Sequence, residues 1–449
     1  MQEVKAPPPL WAHQLAAIER YKVNPSLFNA SDCGVGKSRT IIEVMKHLQL
    51  PTLILAPKSI LHASWGFDLK RFAPELKYSI ATALNRRAAF ESDAPIKITN
   101  IDALTWLMRP ENTDLRKQFE GGFLVIDEVS SCKNPAAKRT KAAFAIRKIF
   151  AHCTTMTGTP ASNGLIDIWA PIFLVDQGAS LGASFYRFRA HTHNQVTKGA
   201  FSTWSEKPGC IDAVGAIIAP ITIRAARDEC LDLPEHQIIS REVILSAAHL
   251  KQYQDLRRLA VLELKTGTIT AVNAAVLCGK LLQCASGNVY GENGESHLLS
   301  TDRYNMVLDI VEEQKQSVVF YTWKFQKEQL LIGAKARGIS YGLLDGSIGT
   351  FERANAVSEF QAGKLKTLIC QISAASHGLT LTAATTSIYV SPTHNAESFE
   401  QSRHRIYRGG QTQKTQTILI QAPGTIEGEV YRALNDKVFK MDNLLEMLE

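Results

Sequence analysis

Residues 30–38 read Ala30-Ser31-Asp32-Cys33-Gly34-Val35-Gly36-Lys37-Ser38, two glycines followed by a lysine and a hydroxyl. That order suits a phosphate chain. Gly34 and Gly36 let the backbone N–H groups of Cys33 to Lys37 turn inward around an anion, and a helix starting there offers its positive end. Lys37 has the reach for β- and γ-phosphates, and the Ser38 hydroxyl is placed for Mg2+. The pattern GxxxxGK[ST] has glycine where this chain has Ser31. A second chemical pair, Asp127-Glu128, directly follows the apolar run Phe123-Leu124-Val125-Ile126. Two acids at the end of a buried strand suit metal-assisted phosphoryl transfer. Asp127 would hold Mg2+ through its water shell, and Glu128 would orient or deprotonate the attacking water.

The elements around these residues follow from hydrophobic periodicity. Leu27 to Ala30 predicts a strand into the glycine turn, and Ile41, Val44, Met45 and Leu48 predict a helix after it. Upstream, Leu10 to Tyr21 predicts a helix carrying Gln14, whose amide can pair the N6 and N7 positions of adenine. Apolar runs predict further strands at Thr52–Ala56, Pro95–Thr99 and Cys153–Met156, the last closing in Thr157-Gly158-Thr159-Pro160. Between Leu165 and Pro234 the alternation weakens. Tyr186, Arg187, Phe188, Arg189, His191, His193, Trp204, Arg224 and Arg227 interleave there, suiting either nucleic-acid contact or a solvated helical insertion. A second block predicts strands at 317–321, 339–343, 367–370, 386–390 and 416–420, without another glycine-lysine turn. Its stretch Gln401 to Gln411 holds Arg403, Arg405 and Arg408, readable as a solvated basic face or as arginine fingers.

A chain of 449 residues exceeds a single core and predicts two or three domains. Hydrophobic content of 45% with 21% charge is that of a folded soluble protein, which excludes a disordered chain. No apolar run approaches the ~20 residues that span a bilayer. The opening segment, with Pro7-Pro8-Pro9, lacks the apolar core of a secretory signal. The 8 cysteines are scattered, with no C-x-x-C pair, predicting reduced thiols, no structural zinc and a cytoplasmic protein. The net charge of +7 leans mildly toward polyanions.

Taken together the blocks resemble the Swi/Snf-type DNA translocases of helicase superfamily two, over nearly the whole chain. Gln14 falls on the Q-motif glutamine. Asp32 to Ser38 is similar to motif I, DEMGLGKT, in which no glycine is required at 31. Leu53 to Leu61 with Trp65 resembles motif Ia, and Ile98 to Asp102 motif Ib. Asp127-Glu128-Val129-Ser130 with Lys133-Asn134 resembles motif II, and Thr157 to Pro160 with Asn163 and Trp169 motif III. Leu344 to Ser347, Gly378 to Ala384 and Gln401 to Gln411 are similar to the DGS, GxNLTAA and QAxDRxHRIGQ elements. The chain departs from the pattern at Ser130 (histidine in DEAH), Ala374-Ala375-Ser376 (AGG), Tyr407 (histidine) and Ser391 (aspartate).

The resemblance implies an α/β protein of two RecA-like parallel-sheet lobes with short helical insertions. Lobe one would span 1–235 with an insertion at about 165–235, and lobe two 236–449 with one at about 236–300. It implies ATP and Mg2+ as cofactors, bound by Gln14, Cys33, Gly34, Val35, Gly36, Lys37, Ser38, Gly378 and Gln401, with Ser38 and Asp127 on the metal. Lys37, Asp127, Glu128, Arg405 and Arg408 would carry hydrolysis. Lys58, Ser59, Thr99, Tyr321, Thr322 and His377 would grip double-stranded or branched DNA. The implied activity is a monomeric, DNA-dependent ATPase of the compact bacterial or phage kind (nuclear if eukaryotic). It would remodel DNA structures, by fork or branch migration or strand annealing, or protein–DNA complexes. An RNA helicase of the DEAD/DEAH type, a regulatory ATPase that binds nucleic acid without moving, and a small-molecule phosphotransferase are the alternatives.

Overall fold

The computed structural model describes residues 8–198, 201–265, 271–291, 293–375 and 379–446. Two compact units are present, one built on residues up to Val196 with Trp204–Asp232, the other on Leu233–Val438.

The first unit holds a seven-stranded sheet of β1 (Phe28–Asn29), β2 (Thr52–Leu55), β3 (Tyr78–Ala81), β4 (Ile96–Thr99), β5 (Phe123–Asp127), β6 (His152–Met156) and β9 (Thr222–Ile223). Their order is β3-β4-β2-β5-β6-β1-β9, and every pairing is parallel. Parallel strands need crossover helices, which cover both faces and make each strand apolar throughout. Successive residues therefore enter opposite cores. Leu53, Leu55, Leu124 and Ile126 pack on one side, and Ile54, Ile96, Ile98, Phe123 and Val125 on the other. Each such side chain contributes ~1.5–3 kcal/mol on burial. The hairpin β7 (His193–Lys198) and β8 (Phe201–Glu206) stands apart as a two-stranded sheet.

The second unit holds a six-stranded sheet of β10 (His236–Glu242), β13 (Ser317–Tyr321), β14 (Tyr341–Leu344), β15 (Thr367–Gln371), β16 (Thr386–Tyr389) and β17 (Thr415–Gln421). The order is β10-β17-β16-β13-β15-β14, again parallel throughout. A hairpin of β11 (Asn288–Tyr290) and β12 (Ser296–Leu298) lies outside it. The buried Arg303–Glu427 pair, at 2.7 Å, ties this unit together: Arg303 also donates to the carbonyls of Ala285 and Val390.

Several elements differ from what periodicity and the resemblance imply. Residues 236–242 are a sheet strand rather than the start of a helical insertion. This strand, His-Gln-Ile-Ile-Ser-Arg-Glu, lies at a sheet edge and is mostly exposed, so it lacks the apolar run that marks central strands. Among the described residues, Ala247–Lys265 and Ala271–Ala285 supply the helix there. The 165–235 stretch likewise mixes short helices with β7, β8 and β9. Tyr78–Ala81 is a further edge strand, half-buried over most of its length.

Candidate nucleotide site

All the chemistry predicted for the first unit gathers at one end of its sheet. β1 and β5 flank β6, so the glycine turn, the Thr157–Pro160 segment and Asp127-Glu128 leave the carboxyl ends of three adjacent strands. That edge is where open parallel sheets bind ligands.

The turn between β1 and the helix Lys37–Leu48 runs through Gly34 at φ 89° and Gly36 at φ 82°. At Gly36 a side chain is excluded twice: by the left-handed backbone, and by the Gln14 amide, into which an added Cβ would collide. Gln14 is buried, donates from Nε2 to the Gly36 carbonyl at 3.2 Å and accepts from the Trp11 backbone N–H at 2.9 Å. His13 contacts the Val35 carbonyl through Nε2 at 2.8 Å, a contact with no signal in the sequence. Lys37 Nζ donates to the carbonyls of Ser31 and Asp32, each at 2.9 Å, holding the ammonium across the mouth of the turn. Gly158 packs against the same turn, its absent side chain leaving room for Cys33.

Asp127 is fixed through both oxygens. The Trp65 indole donates to Oδ2 at 2.9 Å and the Glu128 backbone N–H to Oδ1 at 3.1 Å. Burial and the neighbouring Glu128 charge push the Asp127 carboxyl up to about 6, against the pull of Trp65 and Lys37. Glu128 itself sits at φ 52°, ψ 57°, a left-handed conformation costly for a side chain with a Cβ. Such strain turns Glu128 out of the strand line and is a mark of functional positions. An acidic pair at the end of β5, a lysine and a glycine-lined helix N-terminus are a donor set that fits a nucleotide phosphate with a divalent cation. Among the described residues no cluster of three or more His, Cys, Asp or Glu could hold a metal by protein ligands alone, and no helix is long and apolar enough to cross a membrane.

Asp32 binds away from the turn. Its Oδ1 pairs with Arg224 Nη1 at 2.7 Å, and its Oδ2 accepts from the Arg227 backbone N–H at 2.9 Å. Ala30 and Asp32 also donate their backbone N–H groups to Ile223 and Ala225. The Arg224 and Arg227 side chains are thus turned into the first unit, and fit neither of the two readings of their stretch, exposed nucleic-acid contact or solvated helical face. Burial opposes ionisation of Asp32, but Arg224 and Arg227 outweigh it and hold the carboxyl below its usual range. We expect Asp32→Asn to destabilise the fold by roughly 2–4 kcal/mol, the cost of stranding a buried arginine. A carboxyl depressed in the folded state contributes its stability in full above the unfolded value of 3.8 and loses it as pH falls through the folded value. Thermal unfolding between pH 7 and 2.5 should therefore show the parent losing this advantage over Asp32→Asn only in acid.

Of the other positions expected in the first unit, Lys58 is exposed and Ser59 half-buried just beyond β2. Thr99 is fully buried and spends its hydroxyl on the Ala81 carbonyl at 2.9 Å, so its side chain is not a surface contact. Lys133 bonds Ser162 Oγ at 2.5 Å and pairs with Asp167 at 3.4 Å, joining the segments after β5 and β6.

In the second unit, Tyr321 is likewise buried: its hydroxyl donates to Asp345 Oδ2 at 3.0 Å, beside Lys327 at 2.9 Å. Burial works against the Asp345 charge, yet Ser347, Lys327 and Tyr321 hold its carboxyl well below the usual range. Thr322 is half-buried at the end of β13, and among the described residues its hydroxyl has no hydrogen-bond partner. Gln401 is fully buried, near Glu397 Oε1 at 3.4 Å. Arg405 and Arg408 converge: both donate through Nη1 to the Leu379 carbonyl, at 3.3 and 2.8 Å. Arg403 instead pairs with Glu400 at 2.8 Å. Two departures from the family pattern have local partners. Tyr407 stacks on His236 with centroids 4.7 Å apart, and Ser391 accepts from Gln326 at 2.8 Å. His377 and Gly378 lie outside the described residues.

Residues 15–286 match the SNF2-related domain and residues 302–410 the helicase conserved C-terminal domain. The chain belongs to the SNF2-related family of ATP-dependent helicase-like proteins. It is 27% identical over 446 residues to putative protein p41 of Acyrthosiphon pisum secondary endosymbiont phage 1, covering 93% of each. It is 26% identical over 445 residues to the putative ATP-dependent helicase/translocase YwqA of Bacillus subtilis, covering 93% of this chain and 47% of that protein. It thus spans nearly the whole phage relative and about half of the bacterial one. Among solved structures, the Sulfolobus solfataricus SWI2/SNF2 ATPase core in complex with dsDNA is similar at 21% identity and a TM-score of 0.46, with 99% of this chain and 95% of that chain covered.

Proposed function

We propose that the chain is an ATP hydrolase stimulated by duplex or branched DNA, along which it translocates. The observation that carries the reading is the convergence of Lys37, Asp127 and Glu128 on one end of a parallel sheet, with both Asp127 oxygens held. Gln14 selects adenine, while the backbone of Cys33 to Lys37 and the Lys37 ammonium bind phosphates. Ser38 and Asp127 would hold Mg2+, which neutralises phosphate charge when bound. Glu128, turned out of line by its backbone, takes or orients the proton of the attacking water. Arg405 and Arg408 act on the phosphates only in the transition state, which couples hydrolysis to movement of the second unit. Lys58, Ser59 and Thr322 contact the DNA backbone, which positions without reading sequence. The name of the Bacillus subtilis relative, helicase/translocase, supports a motor over a static binder.

Steady-state ATPase rates with no nucleic acid, single-stranded DNA, duplex, fork and RNA test the reading. Duplex or fork DNA should stimulate most. RNA as the best activator would favour an RNA helicase, and a rate indifferent to every polymer would leave a regulatory ATPase. A backbone grip also predicts that log affinity falls linearly with log salt, with a slope of roughly −0.9 per phosphate neutralised on duplex. Fluorescence anisotropy on two duplexes of unrelated sequence should give the same line; a strong sequence preference at fixed salt would argue against tracking.

A further inference from the structure

A cavity of about 660 Å3 lies in the first unit among residues with no role in the mechanism above. One wall is Lys133 to Ala136 with Lys141, another is Asn163, Ile166 and Asp167, and the third is Phe185, Tyr186 and Arg189 of the helix Phe185–Thr192. Three cations face a single carboxylate, Asp167, and that carboxylate is already paired with Lys133 at 3.4 Å. The cavity therefore favours an anion. The Arg189 guanidinium lies 4.0 Å over the Trp204 ring and 5.5 Å from the Phe185 and Tyr186 rings. Trp204 thus holds the cation in place on one wall. Phe185 is anchored in turn by an edge contact to Trp169 at 5.7 Å, whereas Tyr186 is 70% exposed and leaves a ring face to solvent. The Lys133–Asp167 pair at 3.4 Å joins the first two walls, and within the second Asp167 accepts from the Asn163 N–H at 2.9 Å.

A concavity of this volume with an aromatic wall and excess positive charge has the make-up of a ligand site. We propose that it takes one unpaired nucleotide of DNA, its base stacked on Tyr186 and its phosphate facing Arg189 and Lys141. Duplex DNA offers phosphates but keeps its bases stacked inside, and a duplex is far too wide to enter a cavity of this size. An unpaired nucleotide presents a planar face and an anion together, matching the two kinds of wall. The pocket would make the motor sensitive to single-stranded tails at forks or gaps. This inference rests on the DNA reading of the chain.

The test compares affinities of the full chain for a blunt duplex and for the same duplex with an oligothymidine tail, by fluorescence anisotropy at fixed salt. The parent should favour the tailed probe by about tenfold or more, the range that stacking of one base on an aromatic ring supplies. Tyr186→Ala changes an exposed ring and should bring the tailed-to-blunt ratio toward one. Lys141→Gln, on the exposed face of its helix, should lower that ratio and flatten the salt slope on the tail by roughly 0.7. A 5-iodouracil in the tail should photocrosslink at Tyr186. If the parent binds blunt duplex with a ratio of one, or the ratio survives Tyr186→Ala, the pocket proposal is overturned and the DNA motor stands. A crosslink that maps elsewhere overturns it as well. Loss of the tailed-probe preference on adding an acidic, tyrosine-rich peptide, with blunt-duplex binding unchanged, would reassign the cavity to protein. Failure of the parent to bind either probe would remove the DNA reading and the pocket together.

Discussion

Glu128→Gln should bind ATP with nearly the parent affinity and hydrolyse it about 10²–10⁴-fold more slowly, the range for losing a positioned general base. The amide keeps the size and hydrogen-bonding reach of the carboxylate but cannot take a proton. Glutamine brings the same Cβ to the left-handed backbone at 128 as glutamate, so the loss would reflect chemistry and not local refolding. Lys37→Ala should behave differently. Its ammonium spans the Ser31 and Asp32 carbonyls in this structure. Removing it takes charge away from bound and reacting phosphates alike, so nucleotide affinity and turnover should fall together. Fluorescent-nucleotide titration with single-turnover hydrolysis separates the two effects. Parent-like turnover in either variant would overturn the assignment of the site.

Arg405→Ala and Arg408→Ala should each lower turnover by about 10³–10⁵-fold if these residues are arginine fingers, while leaving ATP affinity close to that of the parent. Both guanidiniums meet at the Leu379 carbonyl, in the segment that carries the GxNLTAA-like element. Under that proposal phosphate oxygens would replace the shared backbone acceptor, because a charge-assisted bond to phosphate is the stronger one. Arginine to lysine should rescue poorly, since an ammonium lacks the planar fork. Arg403 is the internal control: it is engaged by Glu400 rather than Leu379, and Arg403→Ala should affect stability more than hydrolysis. Rates would be measured in saturating duplex DNA, with calorimetry to confirm folding. Hydrolysis at the parent rate in both Arg405→Ala and Arg408→Ala would reduce the block to a basic surface.

The amino-acid sequence by itself determined the glycine turn, the Asp127-Glu128 strand end and most central strands of both sheets. These depend on neighbours in the chain: a doubly covered parallel strand must be a short apolar run, and a phosphate turn needs its glycines adjacent to its lysine. Tertiary structure alone decided what lies across the chain. Nothing near Trp65 announces that its indole will hold Asp127, 62 residues on, and nothing near Arg224 announces a pairing with Asp32, 192 residues back. Read as a basic and aromatic stretch, residues 186–227 offered nine similar candidates; the fold turned the Arg224 and Arg227 side chains into the first unit and gathered Tyr186, Arg189 and Trp204 beside a cavity. Thr99 and Tyr321 likewise read as contacts at strand ends, and burial turned their hydroxyls to Ala81 and Asp345. Edge strands such as His236–Glu242 stayed hidden because an edge buries too little to impose a pattern, whereas long-range pairing is set by sheet order, which no local window contains.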